Sequence, residues 1–136
     1  LESSERGDWI SDLIPDGKFA TATDCACEVP LGITIYCVIG SGMVLARFDQ
    51  FDWDASKAGA AQVIGLDIDG VTLTREAKLI EQFPGFEAPH DDPLFDQFAK
   101  GRRLISTFDG KTIESTLKGS KKAMAVLRKH CAPKVN

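Results

Sequence analysis

The chain has 136 residues, of which 43% are hydrophobic and 26% are charged, with a formal net charge of −4. This composition is typical of an ordinary soluble globule and excludes disordered, collagen-like and coiled-coil chains, and no apolar run is long enough for a membrane-spanning helix. The length predicts a single domain over residues 1–136.

Charge is distributed unevenly along the chain. Residues 1–99 carry 18 acidic and 6 basic side chains, whereas residues 100–136 carry 2 acidic and 10 basic ones. Such a basic end predicts an anionic partner, a basic segment that lies against the acidic part of the same chain, or simply a solvated helix face.

Extended segments are predicted in the first half of the chain. Residues 18–27 are rich in Thr and Ala, and β-branched and apolar residues fill residues 33–39 and 43–48 on either side of a Gly-Ser-Gly. Residues 29–32, Val-Pro-Leu-Gly, are typical of a turn. We therefore expect residues 18–27 and 33–39 to form a hairpin.

Two further hairpins are predicted from Asp-Gly dipeptides. The Asp-Gly at residues 69–70 lies between stretches of alternating residues, as a two-residue type I′ turn requires. In the register that this turn sets, Leu66 faces Leu73 on an apolar face. A second Asp-Gly, at residues 109–110, predicts a hairpin over residues 104–115 with a thinner apolar face.

Two helices complete the predicted fold. The first begins after Asp92, with Pro93 in its first turn, and ends at Gly101. Ser120 is expected to cap the second helix, whose apolar stripe ends at Cys131. The predicted fold class is α+β: mainly antiparallel β, a sandwich or barrel-like sheet built of hairpins, with one short helix and a C-terminal helix.

The four cysteines are Cys25, Cys27, Cys37 and Cys131. Their spacing lacks the repeated C-x₂₋₄-C pairs of zinc sites and the C-x-x-C of redox motifs, so two disulfides in an exported protein are expected, with buried free thiols as the alternative. Cys25 and Cys27 lie about 6.5–7 Å apart on one extended segment, near the limit for a disulfide, so each should take its own partner. A short turn around Gly32 places Cys27 opposite Cys37 and leaves Cys25 for Cys131, and the swapped arrangement fits nearly as well.

Aromatic and acidic side chains alternate in residues 48–54. In one interpretation Phe51 and Trp53 pack inwards while Asp52 and Asp54 stay in water. In the other, the segment is an exposed patch on which the two aromatic residues anchor a protein partner. For an anionic partner, the candidate residues lie on the last helix: Lys121, Lys122, Arg128 and Lys129.

One motif has catalytic character. Asp67-Ile68-Asp69-Gly70, after a hydrophobic strand, resembles the first motif of the haloacid-dehalogenase superfamily. That resemblance implies Asp67 as phosphoryl-accepting nucleophile, Asp69 as general acid/base, and Mg²⁺. Sixty-two residues precede the strand and no alternation of strands and helices surrounds it, so a hairpin turn explains the same residues. A small Mg²⁺-dependent phosphatase remains an alternative.

A second resemblance covers the C-terminal part of the chain. The residues that carry it are Asp92-Pro93-Leu94-Phe95, Phe98-Ala99-Lys100-Gly101-Arg102-Arg103-Leu104, Phe108, Leu117-Lys118-Gly119-Ser120, Ala123 and Leu127, with Trp9 near the start. Together they resemble the invasion-associated locus B family, small exported proteins of alphaproteobacteria. The family's central cysteine pair has no counterpart between Cys37 and Cys131, and Ser120 stands where the family has an aromatic residue.

The resemblance implies a periplasmic or surface-associated, non-enzymatic, β-rich protein, often linked to host-cell interaction and virulence. We therefore expect an exported, disulfide-stabilised, non-catalytic binding or envelope protein with no cofactor, no metal and no nucleic-acid partner. Its partner would be a protein or an anionic component of the envelope or host surface. An inhibitor or immunity protein, whose acidic loops block a cationic enzyme such as lysozyme, is the alternative in the same compartment. No basic-then-apolar leader precedes Leu1, so any targeting segment is expected to lie outside this sequence.

Overall fold

The computed structural model describes residues 9–14, 19–23, 32–53, 56 and 62–133. Among these residues, ten strands and two helices are present. The strands are β1 (Ile10–Ile14), β2 (Phe19–Thr23), β3 (Ile33–Val38), β4 (Met43–Phe48), β5 (Val63–Ile68), β6 (Val71–Glu76), β7 (Lys78–Ile80), β8 (Phe83–Pro89), β9 (Arg103–Phe108) and β10 (Lys111–Thr116), and the helices are α1 (Pro93–Lys100) and α2 (Ser120–Cys131).

The strands form two antiparallel sheets. The first sheet has the order β1-β2-β3-β4-β8-β7, and the second has the order β10-β9-β5-β6. Helix α2 packs against β1, β2 and β3 and against α1. The predicted fold class, mainly antiparallel β in a two-sheet, sandwich-like arrangement with two helices, is confirmed.

Both Asp-Gly hairpins form in the predicted register. Ile68 pairs with Val71 and Leu66 with Leu73 across the β5–β6 turn, and Phe108 pairs with Lys111 across the β9–β10 turn. All four turn residues have positive φ, as a type I′ turn requires. These turns are specified locally, so two residues are enough to predict each hairpin.

Strands β7 and β8 are not predicted by the sequence. The two prolines and one glycine of β8 are typical of loops. In the structure the pairing of β8 with β4 ends at Gly85. Pro84 lies beyond that end, so its missing N–H costs no hydrogen bond to β4. A Cβ on Gly85 would collide with the Ala46 carbonyl oxygen and the Ile80 side chain. The glycine therefore allows β8 to approach β4 closely.

Helix α1 begins and ends as predicted, whereas the cap of α2 differs. The Asp92 carboxylate accepts a hydrogen bond from the Leu94 N–H at 2.9 Å, and α1 ends before Gly101. Ser120 was expected to cap α2, but the cap is Gly119, with φ +84° and no side-chain hydrogen bond. The Ser120 hydroxyl instead donates to the Phe98 carbonyl oxygen at 2.6 Å. It therefore connects the start of α2 to α1.

The disulfide pairing differs from both expected arrangements. Cys37 of β3 is bonded to Cys131 of α2, with 5.8 Å between their Cα atoms. The physical reason is the β2–β3 register: Cys37 lies opposite Ala20, and the hairpin closes at Thr23 and Thr34, so Cys27 is not opposite Cys37. Cys25 and Cys27 themselves lie outside the described residues. The expectation that a disulfide joins the last helix to a strand is confirmed.

Aromatic side chains connect the two sheets. Phe48 of β4 contacts Phe86 of β8 at 5.9 Å and Phe51 at 6.4 Å between ring centroids, and Phe51 contacts Phe108 of β9 at 5.8 Å. All four rings are almost completely buried. These ring contacts therefore run from the first sheet to the second through the buried core.

Candidate binding surface

The aromatic residues of the 48–54 segment are part of the core. Phe51 is 1% exposed, and the Trp53 ring stacks on Phe108 with 6.2 Å between centroids. The Asp52 side chain is 93% exposed and lies 3.8 Å from the Lys111 ammonium. Asp54 lies outside the described residues. The interpretation in which the aromatics pack inwards is therefore confirmed for Phe51, and Phe51 as an exposed anchor is wrong.

Both carboxylates of the Asp-x-Asp-Gly motif accept backbone hydrogen bonds. Asp67 accepts from the Gly70 N–H at 2.8 Å, which closes the β5–β6 turn. Asp69 accepts from the N–H groups of Arg102 and Arg103 at 3.0 and 3.1 Å. Among the described residues, no group of three or more His, Cys, Asp or Glu is placed to hold a metal ion. The geometry gives this motif a structural role: it fixes the hairpin to the segment that follows α1.

The exposed side of α2 carries three of the four predicted basic residues. Lys121, Lys122 and Lys129 all face solvent, and α2 contains no acidic residue. Within the part of the chain that the structure describes, none of these three lysines forms an ion pair with a carboxylate. We call Lys121, Lys122 and Lys129 the basic face.

Arg128, the fourth predicted residue, is engaged inside the molecule. Its Nε donates to the His90 carbonyl oxygen at 3.0 Å, and its Nη1 donates to the Asp96 carboxylate at 2.7 Å. Arg128 therefore connects α2 to α1 and to the β8–α1 turn. Its guanidinium is less available to an outside ligand than the ammonium groups of the basic face.

The Arg128–Asp96 pair predicts a dependence of stability on pH. The hydrogen bond from Arg128, and then its charge, hold the pKa of the Asp96 carboxyl below its ordinary value. When folding lowers the pKa of a carboxyl, the folded state gains stability at any pH above the pKa of the unfolded state. This gain is lost as the pH falls through the pKa of the folded state. The free energy of unfolding of wild type should exceed that of Asp96→Asn at neutral pH, and the difference should shrink between about pH 5 and pH 3. Urea titrations at several pH values measure this difference in the free energy of unfolding. A difference that did not change with pH would contradict the role of the Arg128–Asp96 pair.

A groove opens between the end of α1 and the start of α2. Its volume is about 400 Å³, and its lining residues are Ala99, Gly101, Arg102, Thr116, Leu117, Lys118, Gly119, Ser120 and Lys121. Lys121 belongs to both the groove and the basic face. Arg102, from the α1–β9 connection, and Lys118, from the β10–α2 connection, also line the groove, and neither is among the partner-binding candidates predicted from the sequence.

Trp9 fixes one wall of this groove. Its backbone N–H donates to the Lys118 carbonyl oxygen at 2.7 Å, and its indole Nε1 donates to the Thr116 carbonyl oxygen at 2.9 Å. The ring, 4% exposed, contacts Phe98 edge-on at 6.0 Å. The two carbonyl groups are thereby held on buried structure, which makes the wall rigid.

A second cluster of charge, on the outer face of the first sheet, is neutralised internally. Arg47 forms ion pairs with Asp49 and Glu81, and its guanidinium lies 6.0 Å from the Tyr36 ring centroid and 5.7 Å from that of Phe83. Burial, and then the negative charge of Glu81, raise the pKa of the Tyr36 hydroxyl. Because two carboxylates surround its cation, this cluster is a poorer candidate for an anionic partner than the basic face.

None of the described helices combines the length and the apolar character that crossing a membrane requires. No protein-family model matches the sequence, and neither a curated protein nor a solved structure has significant similarity to it.

Proposed function

We propose that this chain is an exported, disulfide-stabilised, non-catalytic binding protein that contacts an anionic component of the envelope or host surface through the basic face. The observation that carries the proposal is the solvent-exposed side of α2, where Lys121, Lys122 and Lys129 lie without a carboxylate partner among the described residues. Unneutralised charge on one face attracts ligands of opposite sign and orients their approach.

The disulfide supports the exported location. Cys37 and Cys131 are both fully buried, and their bond joins the first sheet to the last helix. Disulfides that serve only structure persist in oxidising compartments such as the periplasm or the cell exterior. The resemblance to the invasion-associated locus B family supports the same compartment and a role in surface interaction.

The alternatives receive less support from the geometry. A phosphatase would need Asp67 available for attack on phosphorus, whereas its carboxylate accepts the hydrogen bond that closes the β5–β6 turn. An inhibitor that blocks a cationic enzyme would rely on acidic loops, of which the exposed Asp52 is one residue. Three lysines on one helix, without a carboxylate partner among the residues that the structure describes, favour an anionic partner over a cationic one.

The test measures two things, the free thiols of the native protein and its binding to a polyanion. Protein recovered without reductant from its native source should contain no alkylatable thiol, and it should bind immobilised heparin, used as a polyanionic probe. The triple variant Lys121→Gln, Lys122→Gln, Lys129→Gln should bind heparin at least about tenfold more weakly, because it loses three of the cations on one face.

The matched control removes three other exposed lysines: Lys78→Gln, Lys100→Gln and Lys111→Gln. Its net charge equals that of the first variant, but the substitutions lie on β7, α1 and β10. We expect less than about a threefold loss of heparin binding, because Lys78 and Lys111 already face carboxylates. Equal losses in both variants would mean that only net charge matters and would overturn the assignment to the basic face. Free thiols in the native protein would overturn export.

A further inference from the structure

We infer that β6, at the edge of the second sheet, pairs with β6 of a second copy of this chain. The two copies are related by a two-fold axis at Thr74, and their four-stranded sheets join into one continuous antiparallel sheet. Identical patches that meet across a two-fold axis are the commonest way in which soluble chains form dimers. The inference goes beyond the proposed function and does not depend on it, because the basic face lies on α2.

The pairing of β6 with β5 determines which backbone groups of β6 point away from β5. The residues that flank a two-residue turn form a hydrogen-bonded pair, and non-hydrogen-bonded and hydrogen-bonded pairs then alternate along the two strands. Ile68 and Val71 flank the turn. Thr72, Thr74 and Glu76 therefore belong to non-hydrogen-bonded pairs, and their N–H and C=O groups point outward from the edge of the sheet.

Two observed hydrogen bonds agree with this alternation. One pair beyond the strands, the Ala77 N–H donates to the Gln62 carbonyl oxygen at 2.8 Å, as a hydrogen-bonded position requires. Arg75 Nη1 donates to the Thr74 carbonyl oxygen at 2.8 Å, and a carbonyl group that pointed towards β5 could not accept this bond. The outward direction at Thr74 is thus supported by a contact as well as by the register.

The outward groups of β6 are available to an added strand. Apart from the contact with Arg75, no hydrogen bond within the described ranges uses the outward backbone groups of Thr72, Thr74 or Glu76. The side chains of these three residues are exposed as well. An edge of this kind offers a row of donors and acceptors with which another strand can pair.

Arg75 leaves space for a partner strand. It lies opposite the fully buried Ile64, so its side chain leaves β6 on the core face of the sheet. Its Nη2 donates to the Asp92 carboxylate at 3.0 Å, which holds the guanidinium on that side. The Thr74 carbonyl oxygen has a second lone pair, which an N–H of the second copy can use.

A single register uses all three outward residues of both copies. It is centred on Thr74, which then lies opposite Thr74 of the second copy. Thr72 lies opposite Glu76 of the second copy, and Glu76 lies opposite Thr72. In each of these pairs the two residues exchange both of their backbone hydrogen bonds.

The side chains on the outer face are compatible in this register. Glu76 lies opposite a threonine, so no like charges are directly opposed. The pair on the two-fold axis consists of two threonines, a combination that stabilises antiparallel strands. Charge therefore does not oppose the association of two copies along β6.

The side chains on the core face are compatible as well. Val71, which is 46% exposed in the single chain, lies opposite Ala77 of the second copy. Leu73 lies opposite Arg75 and contacts the aliphatic part of that side chain. The association thus covers apolar surface that a single copy leaves in water.

Strand β10, at the other edge of this sheet, is less suited to a second copy. By the same alternation its outward residues are Thr112, Glu114 and Thr116. The register that uses all three places Glu114 opposite its own copy, and like charges directly opposite one another are destabilising. The Thr116 carbonyl oxygen also accepts a hydrogen bond from the Trp9 indole at 2.9 Å. We therefore assign the association to β6.

Sedimentation equilibrium of the full chain tests the association. A single pair of edge strands is a small interface, so the average mass should rise from 14.8 kDa towards twice that value between about 10 µM and 1 mM protein. Thr74→Pro removes an outward N–H and leaves the bonds between β5 and β6 in place, so it should raise the dissociation constant at least about tenfold. Thr112→Pro makes the same change on β10, and we expect less than about a twofold effect.

Two results of the sedimentation experiment would overturn the inference. One is a wild-type chain that stays monomeric up to the highest concentration, which would exclude a second copy as the occupant of the edge. The other is an equal loss of association in Thr74→Pro and Thr112→Pro, which would exclude β6 as the interface. Amide chemical shifts of β5 in Thr74→Pro, unchanged from wild type, would show that the sheet itself is intact.

Single cysteines test the register, in a chain that also carries Cys25→Ala and Cys27→Ala. The Cα atoms of a hydrogen-bonded antiparallel pair lie about 5.5 Å apart, within the range of a disulfide, so Thr74→Cys should form a covalent dimer under mild oxidation. Thr72→Cys lies on the same face, but its own copy is about 13 Å further along the strand, and we expect at least about tenfold less covalent dimer. Equal yields from the two variants, or no covalent dimer from Thr74→Cys, would overturn the register centred on Thr74.

Discussion

The paired substitution Cys37→Ala with Cys131→Ala is expected to lower the free energy of unfolding by roughly 4 to 5 kcal/mol, because the bond closes a loop of 94 residues in the unfolded chain. The bond is also the covalent connection between β3 and α2. Alanine is the appropriate replacement, since both positions are fully buried and a serine hydroxyl would lack a partner there. Guanidinium titrations of the oxidised proteins measure the difference.

The control is the paired variant Cys25→Ala with Cys27→Ala, which leaves the Cys37–Cys131 bond intact. It should retain most of the stability, and addition of a reductant should then lower its free energy of unfolding by roughly the same 4 to 5 kcal/mol. The two variants distinguish the observed pairing from the pairings that the sequence suggested. If Cys27 bonded Cys37 and Cys25 bonded Cys131, either double variant would lose both bonds, and the two would be equally destabilised.

Helical periodicity and two-residue turns are local signals, and here they are reliable. Of the two predicted helix caps, the one at Asp92 is confirmed and the one at Ser120 is wrong. Asp92 accepts the hydrogen bond that its position predicts, and the Asp-Gly at residues 69–70 sets the register that brings Leu66 opposite Leu73. Each of these features depends on groups within a few residues of one another. Sequence alone therefore predicts the second sheet's hairpins and both helices.

Features that depend on distant contacts were not predictable. Strand β8 contains Pro84 and Gly85, and only the neighbouring β4 and Ile80 explain why a glycine is required there. The pairing of Cys37 depends on how far β2 extends, which residue-by-residue patterns do not specify. The groove is the same kind of case, because it exists only where the two connections next to α1 and α2 meet.

The position of Phe51 decides which surface is left to bind a partner. Replacing it by alanine, Phe51→Ala, is expected to lower the free energy of unfolding by about 3–5 kcal/mol, because the ring is 1% exposed and lies between Phe48 and Phe108. The cavity would open where the two sheets meet, and the surrounding strands can close it only in part. Urea or guanidinium titrations, with amide exchange at β4 and β9, measure the loss.

Asp52→Ala is the matched control for Phe51→Ala. Its side chain is 93% exposed, and its ion-pair partner among the described residues is Lys111, at 3.8 Å, so we expect a change below about 0.5 kcal/mol. If Phe51→Ala kept the wild-type stability but bound the partner more weakly, Phe51 would be an exposed anchor and not a core residue. The expected result, a large loss of stability for Phe51→Ala and little change for Asp52→Ala, would make Phe51 a core residue rather than an exposed anchor. That result would leave Lys121, Lys122 and Lys129 of the basic face as the residues that we propose for contact with an anionic partner.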